Sequence, residues 1–207
     1  MIFNLKKEIG TFLAIFLVSC FLVFLFLNGG AYLKIWGYNE TQSILDFQNS
    51  SKIQIAQSKE NYHLYIPKIG VSAPIVLPKD DSNQNILASL EEGVALYPGS
   101  QLPGETGRSV VLGHSSKATW YRGQYAYIFA LLSKLQVGDE FYIVLKNKKL
   151  IYKVFSNDIL TPEQTNELLS QTPKNESDAV LITCWPIGSS SMRTLIQAEL
   201  IRVEKIK

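Results

Sequence analysis

The sequence is short of cysteine, of histidine and of charge imbalance, and each shortage excludes something. Two cysteines occur in 207 residues. Cys20 falls inside an apolar run, where it packs as a small hydrophobic side chain, so Cys184 is left alone and a disulfide framework is excluded. A formal charge of +2, with lysines scattered rather than gathered into a stripe alternating with aromatics, gives no electrostatic footprint for nucleic acid. No repeat or low-complexity segment is visible. The length allows one ordinary domain plus an appendage, and 46% apolar residues suffice for a single core.

The appendage comes first. Thr11 to Leu27 (TFLAIFLVSCFLVFLFL) carries no charge, and a helix of this length covers roughly 25 Å at about 1.5 Å per residue. A weaker continuation through Ala31, Tyr32 and Leu33 brings it near the ~30 Å of a bilayer core, so residues 11–33 are expected to meet lipid. Lys6 and Lys7 precede the run; the positive-inside rule then keeps the amino terminus cytoplasmic and sends the chain after about residue 36 outward, with Tyr32 and Trp36 suited to the outer interface. A cleaved signal peptide is the rival reading, with Gly29 and Ala31 as a poor cleavage site. The run exceeds the ~7–15 residues usual for a signal core, which favours a retained anchor in a single-pass protein of the cell membrane.

Residues 37–61 are rich in Gln, Asn, Ser and Lys and read as a stalk between the anchor (1–36) and a body at 62–207 that would ride above the membrane. In that body the period changes to two. Strands are expected at His63 to Leu77, interrupted by two prolines, at Arg108 to Gly113, at Glu140 to Leu145 and Leu150 to Phe155 as a hairpin around Asn147-Lys148-Lys149, and at Ala179 to Cys184 and Arg193 to Val203. Helices are expected over Asn83 to Glu92 with Gly93 as C-cap, over Gln124 to Leu135, and after Thr161, where Pro162 and Gln164 complete a capping box. Short strands with brief helical excursions argue for a mainly β, closed or nearly closed barrel.

A solitary thiol in an exported domain is an inert core residue, an intermolecular bridge or a nucleophile. Cys184 ends the apolar strand AVLIT and precedes Trp185-Pro186, so it sits where a strand leaves the core, which favours the nucleophile. An ordinary thiol is only a few per cent thiolate at neutral pH and benefits from a cationic neighbour. Of the two histidines, His63 lies within a Tyr and Leu strand near the stalk, whereas His114 closes the strand SVVLG beside a loop and is the better proton carrier; its bland reading is a histidine bonded to its own loop. Arg193 opens the strand after Cys184, and pairing of the two strands returns it toward the sulfur. Its strand face continues through Leu195, Gln197 and Glu199, so its guanidinium is expected outside the barrel, as a surface charge or as a fork that steadies an oxyanion.

The order Val110-Val111-Leu112-Gly113-His114, then Leu181-Ile182-Thr183-Cys184, then Arg193, resembles the sortase signature, with supporting stretches at Gly93 to Gly107 (GVALYPGSQLPGETG) and Leu135 to Phe141 (LQVGDEF). The resemblance implies an eight-stranded sortase-type β-barrel with short helices behind one transmembrane helix, its groove walled by the loop after Tyr152 to Phe155. It implies a cysteine transpeptidase in which Cys184 attacks a sorting signal such as Leu-Pro-X-Thr-Gly, His114 moves the proton, Arg193 steadies the oxyanion and Thr183 touches substrate or oxyanion. Its partners would be secreted surface proteins bearing that signal and an amine acceptor, a cell-wall precursor or a pilin lysine. No cofactor is implied. Glu105 alone resembles part of the calcium site some sortases carry, and without an acidic cluster no required metal is expected. Two departures leave the subclass open: the long segment SSKATWYRGQYAYIF after His114, and Trp185-Pro186 after the cysteine. The stretch from Gly37 to Asn61 shows no Asp-Pro-aromatic lid motif, which argues against the lidded pilin-polymerising type. The alternatives are a hydrolytic cysteine protease on the same barrel and a catalytically silent barrel that binds a surface partner.

Overall fold

Strict alternation organises the body. In VSAPIV, Val71, Ala73 and Ile75 are buried and their neighbours are not, so the stretch forms a strand with one face to a core. The computed structural model describes residues 2–44, 62–116 and 123–206. Its strands are β1 (His63–Ile66), β2 (Val71–Val76), β3 (Val94–Leu96), β4 (Gly107–Leu112), β5 (Glu140–Leu145), β6 (Lys148–Leu160), β7 (Ser177–Trp185) and β8 (Met192–Lys205). They close into a barrel in the order β1-β2-β3-β4-β7-β8-β6-β5, as expected, and closure removes the exposed edges. Pairing is antiparallel except for β2 with β3 and β4 with β7.

The barrel interior is filled by Leu64, Ile66, Phe129, Phe141, Tyr152, Leu181, Ile196 and neighbours. A second cluster lies outside it, where Val110, Val180, Ile182 and Leu195 are covered by Leu168 and Leu169. Those leucines belong to α3 (Pro162–Ser170), which starts with the expected capping box of Thr161 and Gln164. Strand β7 is therefore covered on both faces, which is why AVLIT is continuously apolar rather than alternating. Its cover ends at Cys184, half-buried, and Trp185, exposed.

Helix α1 (Ile2–Trp36) holds the apolar run, and its stretch from Lys7 to Trp36 is long and apolar enough to cross a membrane. Helix α2 (Asn83–Glu92) forms where expected, with Ser82 as its N-cap. Gly93 is its C-cap as expected, the amide donating to the Ser89 carbonyl at 3.2 Å; its backbone is extended, and glycine is needed because a Cβ would lie 2.3 Å from the Pro74 carbonyl oxygen.

Other differences have physical causes. The helix expected over Gln124 to Leu135 is a series of tight turns ending in a 3-10 turn at Leu132–Lys134. Its amides bond three residues back, and the Phe129 amide is taken by the His114 carbonyl at 2.9 Å. Ala126, Ile128, Phe129, Ala130, Leu131 and Leu132 are all buried, so enclosure from several sides overrides the helical spacing. The β5–β6 hairpin turns at Lys146 and Asn147, with Lys146 at φ 53°, one residue earlier than expected. Strand β6 runs five residues past Phe155 through a register shift between Val154 and Ser156. Strand β3, three residues long, was not anticipated. The stalk falls mostly outside the described residues, but its beginning is not free: Tyr38 donates to the Lys68 carbonyl at 3.1 Å, Ser43 contacts the Pro67 carbonyl at 3.4 Å, and Lys68 pairs with Glu40 at 3.5 Å.

Candidate active site

Two pairings bring the sequence-predicted residues to one end of the barrel. The parallel ladder of β4 and β7 runs from Gly107 opposite Ser177 to Leu112 opposite Ile182. It is continued by the Gly113 amide donating to the Ile182 carbonyl at 3.0 Å and by the Thr183 hydroxyl donating to the Gly113 carbonyl at 2.7 Å. One further step sets His114 abreast of Cys184. On the other side of β7, Cys184 is the direct register partner of Arg193, and Arg193 is in turn opposite Leu160 of β6. Neighbouring strands lie about 4.8 Å apart, so the three backbone positions span about 10 Å across the sheet.

Side-chain direction follows from alternation. Cys184 shares its face with Ile182 and Val180, the outer face beneath α3, and Arg193 shares the face of Leu195, so both belong to the outside of the barrel. Thr183 alternates to the interior; it is 5% exposed and its hydroxyl holds Gly113. Its visible role is thus to fix the residue before His114. Phe129 secures the residue from the opposite side through the bond to the His114 carbonyl, and a Cβ on Gly113 would lie 2.3 Å from the Phe129 ring.

His114 is half-buried, and its Nε2 is enclosed without a hydrogen-bond partner among the described residues. Burial pushes its pKa below the ordinary 6.5, so at neutral pH the imidazole is mostly uncharged. The permanent positive charge is Arg193, whose Nη1 donates to the carbonyls of Ser190 at 2.8 Å and Met192 at 2.9 Å, holding the loop that returns from Cys184. His63 is elsewhere: β1 is separated from β7 by three strands, and the ring bonds to Ser72 at 3.0 Å and stacks on Tyr65. Burial lowers its pKa to about 4.

Sequence reading missed Arg108. From the start of β4 it donates through Nη1 to the carbonyls of Leu168 (2.8 Å), Leu169 (3.2 Å) and Gln171 (3.2 Å), capping the open end of α3 and so fixing the wall over the outer face. Nothing in the local sequence marks it, because its partners are some 60 residues away. Among the described residues no group of His, Cys, Asp and Glu is placed to hold a metal ion.

A half-buried thiol at a strand end, with an imidazole and a guanidinium at the flanking strand positions, is a setting for covalent acyl transfer through sulfur. Residues 64–201 match the family model of the sortase domain, and the chain belongs to the sortase family of cysteine transpeptidases. It is similar to sortase A from Corynebacterium diphtheriae, solved as a lid mutant, with 29% identity and a TM-score of 0.58 over 70% of this chain and 71% of that one. Sortase C-1 from Actinomyces oris is 32% identical with a TM-score of 0.56, covering 68% of this chain and 71% of its own. The pilus-related sortase C of Group B Streptococcus is 28% identical with a TM-score of 0.56, at 70% and 69% coverage. Likeness is comparable to sortases A and C, so it assigns the family and not the subclass. No curated protein matches the chain.

Proposed function

We propose that this transpeptidase is held in the cell membrane by α1, with its amino terminus cytoplasmic and its barrel outside, and that it joins secreted proteins bearing an LPXTG-like sorting signal to a surface amine. Lys6 and Lys7 ahead of the apolar run support the orientation. Cys184 is the nucleophile, His114 the proton carrier and Arg193 the oxyanion stabiliser; the observation that carries this is that Cys184 is the register partner of Arg193 and that His114 lies two residues past the end of β4, whose ladder with β7 runs to Leu112 opposite Ile182 and is continued by Gly113.

Because burial keeps His114 mostly neutral, its imidazole is free to take the thiol proton as the sulfur attacks. The Cys184 sulfur attacks the threonine carbonyl of the sorting signal, forming the C–S bond. Arg193 steadies the oxyanion, and on collapse the C–N bond breaks as His114 gives its proton to the departing amine. In the second half an incoming amine attacks the thioester, His114 takes its proton, and the thiolate leaves. The acceptor class is a cell-wall precursor amine or a pilin lysine. Thr183 serves by fixing Gly113, and with it His114.

Incubation of the full-length protein with a sorting peptide, with and without triglycine, tests this by product mass. The expected result is an acyl adduct on Cys184 that triglycine resolves, no adduct in Cys184→Ala, and turnover lower by about a hundredfold or more in His114→Ala and in Arg193→Ala. Release of free acid alone, whatever the amine, would make the protein a hydrolase; no adduct in the wild type would make the barrel catalytically silent toward such peptides.

A further inference from the structure

Helix α1 divides into two parts. Side chains from Ile9 to Val23 are exposed around its circumference, as an anchor requires. From Asn28 onward one face is covered by the catalytic domain. Asn28 is 8% exposed and Ala31 fully buried; a Cβ on Gly30 would lie 2.8 Å from the Tyr127 ring; Lys34 donates to the Tyr127 carbonyl at 3.2 Å; Ile35 and Tyr38 pack on the barrel core. Positions 28, 31 and 35 recur at helical spacing and Tyr38 follows just past the helix end, so the contact is a face and not a single touch.

Asn28 is the polar member of that face. Its Nδ2 donates to the Phe24 carbonyl within the helix at 3.1 Å, which fixes the amide and aims Oδ1 outward. The Ser116 hydroxyl donates to that Oδ1 at 3.3 Å and accepts from the Gly188 amide at 3.1 Å. Ser116 is two residues beyond His114 and Gly188 four beyond Cys184. Gly188 has φ 80°, and a Cβ there would lie 2.5 Å from Asn28 Oδ1, so the loop passes the helix at backbone distance.

We propose that Asn28 is a positioning residue that, through Ser116, clamps the loop after His114 to the loop after Cys184, making the outer end of the anchor helix part of the catalytic mouth and seating that mouth on the bilayer surface. This rests on the outward-facing transpeptidase proposed above. The seating follows from length: counted from Ile9, the first residue past Glu8, the 20 residues to Asn28 cover about 30 Å, the whole of a hydrocarbon core, so Asn28 falls at its outer boundary, earlier than the Tyr32 to Trp36 boundary expected from the sequence, and the loops bonded to it lie at headgroup level. A buried amide at that depth is where a polar side chain faces protein rather than lipid.

The test uses the full chain in phosphatidylcholine–phosphatidylglycerol nanodiscs. Asn28→Leu and Ser116→Ala are each expected to slow acyl-adduct formation with a soluble sorting peptide about tenfold through kcat, leaving KM within about twofold, and the double variant to lose no more than either. Gly188→Ala should be less damaging in an Asn28→Ala background, where the methyl no longer meets the amide, than in the wild type. Wild-type kcat in Asn28→Leu, or losses that multiply in the double variant, would overturn the clamp. An arm independent of activity places a bimane on Ser189→Cys or, as control, on Asn147→Cys, both in a Cys20→Ala, Cys184→Ala background, with nitroxide lipids as quenchers. Asn147 adjoins the start of β6 and Arg193 faces its end at Leu160, about 40 Å away at ~3.3 Å per residue. Stronger quenching at 189 is expected; equal quenching, or stronger quenching at 147, would refute the seating. If the wild type forms no adduct, the catalytic reading has failed and the quenching arm still decides where the mouth lies.

Discussion

Replacing Thr183 by valine keeps the shape of the side chain and deletes one hydroxyl, which isolates the bond from Oγ1 to the Gly113 carbonyl. That bond is 2.7 Å long, buried, and joins the last turn inward of β7 to the residue before His114. Loss of a buried side-chain to backbone hydrogen bond costs about 1–3 kcal/mol. At about 2–4 °C per kcal/mol for a chain of this size, a 2 kcal/mol loss lowers the melting temperature by about 4–8 °C. The kinetic effect should be larger than the thermal one suggests. Gly113 is the hinge between the ladder and the imidazole, and a displacement of about 1 Å at a reacting group costs about a hundredfold, so partial loosening should slow acylation at least about tenfold. The assay pairs a circular-dichroism melt of the full-length protein with the time course of the Cys184 acyl adduct by mass spectrometry. Thr183→Ser, which retains the hydroxyl, should recover most of the rate. The reasoning is refuted if Thr183→Val melts and acylates like the wild type, or if serine loses as much rate as valine, since the methyl rather than the bond would then matter.

Three further outcomes are expected. Because burial depresses His114 below 6.5, the acid limb of the kcat/KM profile should have its midpoint under pH 6.5; a midpoint above 7 would remove His114 as the group that sets it. His63, with a pKa of about 4, is protonated later in the folded than in the unfolded state, so stability is full above about pH 6.5 and falls by about 2–3 kcal/mol as pH drops toward 4. His63→Gln should flatten that slope in chemical denaturation while leaving turnover unchanged; unaltered acid sensitivity would assign it to other groups. Arg108→Met, which keeps the apolar stem but removes the donors to three α3 carbonyls, should raise KM for the sorting peptide about five- to tenfold with little change in kcat, and an unchanged KM would separate α3 from substrate binding.

The legible parts of the molecule are those whose signal is local. An apolar run ending at Cys184, a strand closing at His114 and the arginine opening the returning strand could be read from the chain, because burial on both faces makes β7 continuously hydrophobic and its exit conspicuous. The capping box of α3 and the N-terminal helix were equally local. What could not be read depends on distant partners. The segment after Gln124 has helical spacing, yet its Phe129 amide belongs to His114. Thr183 sits next to Cys184 in sequence and on the opposite face in space. Gly93 was legible as a helix cap, but the close approach of the Pro74 carbonyl that also requires glycine there was not. The polar tail of β6 from Ser156 to Leu160 became strand because β8 offered it a ladder across a register shift.

These distant bonds give the site its particular organisation. The sulfur is placed by β7, which is covered on both faces, and the other two groups are referred to it: Arg193 by register, His114 through Gly113, Thr183 and Phe129. Beyond the ladders, Ser116 after His114 takes the Gly188 amide after Cys184, and it is bonded in turn to Asn28 of the apolar N-terminal helix. Rigidity therefore runs from the barrel core to the three proposed reacting side chains, while the rim of the proposed cleft is referred to the apolar N-terminal helix. A barrel cut free of residues 1–36 would keep the first and lose the second. It should accordingly retain the fold and the Cys184 thiol but acylate more slowly than the full chain, and an excised domain that matches the full-length kcat on a soluble peptide would show that the rim sets itself without the helix.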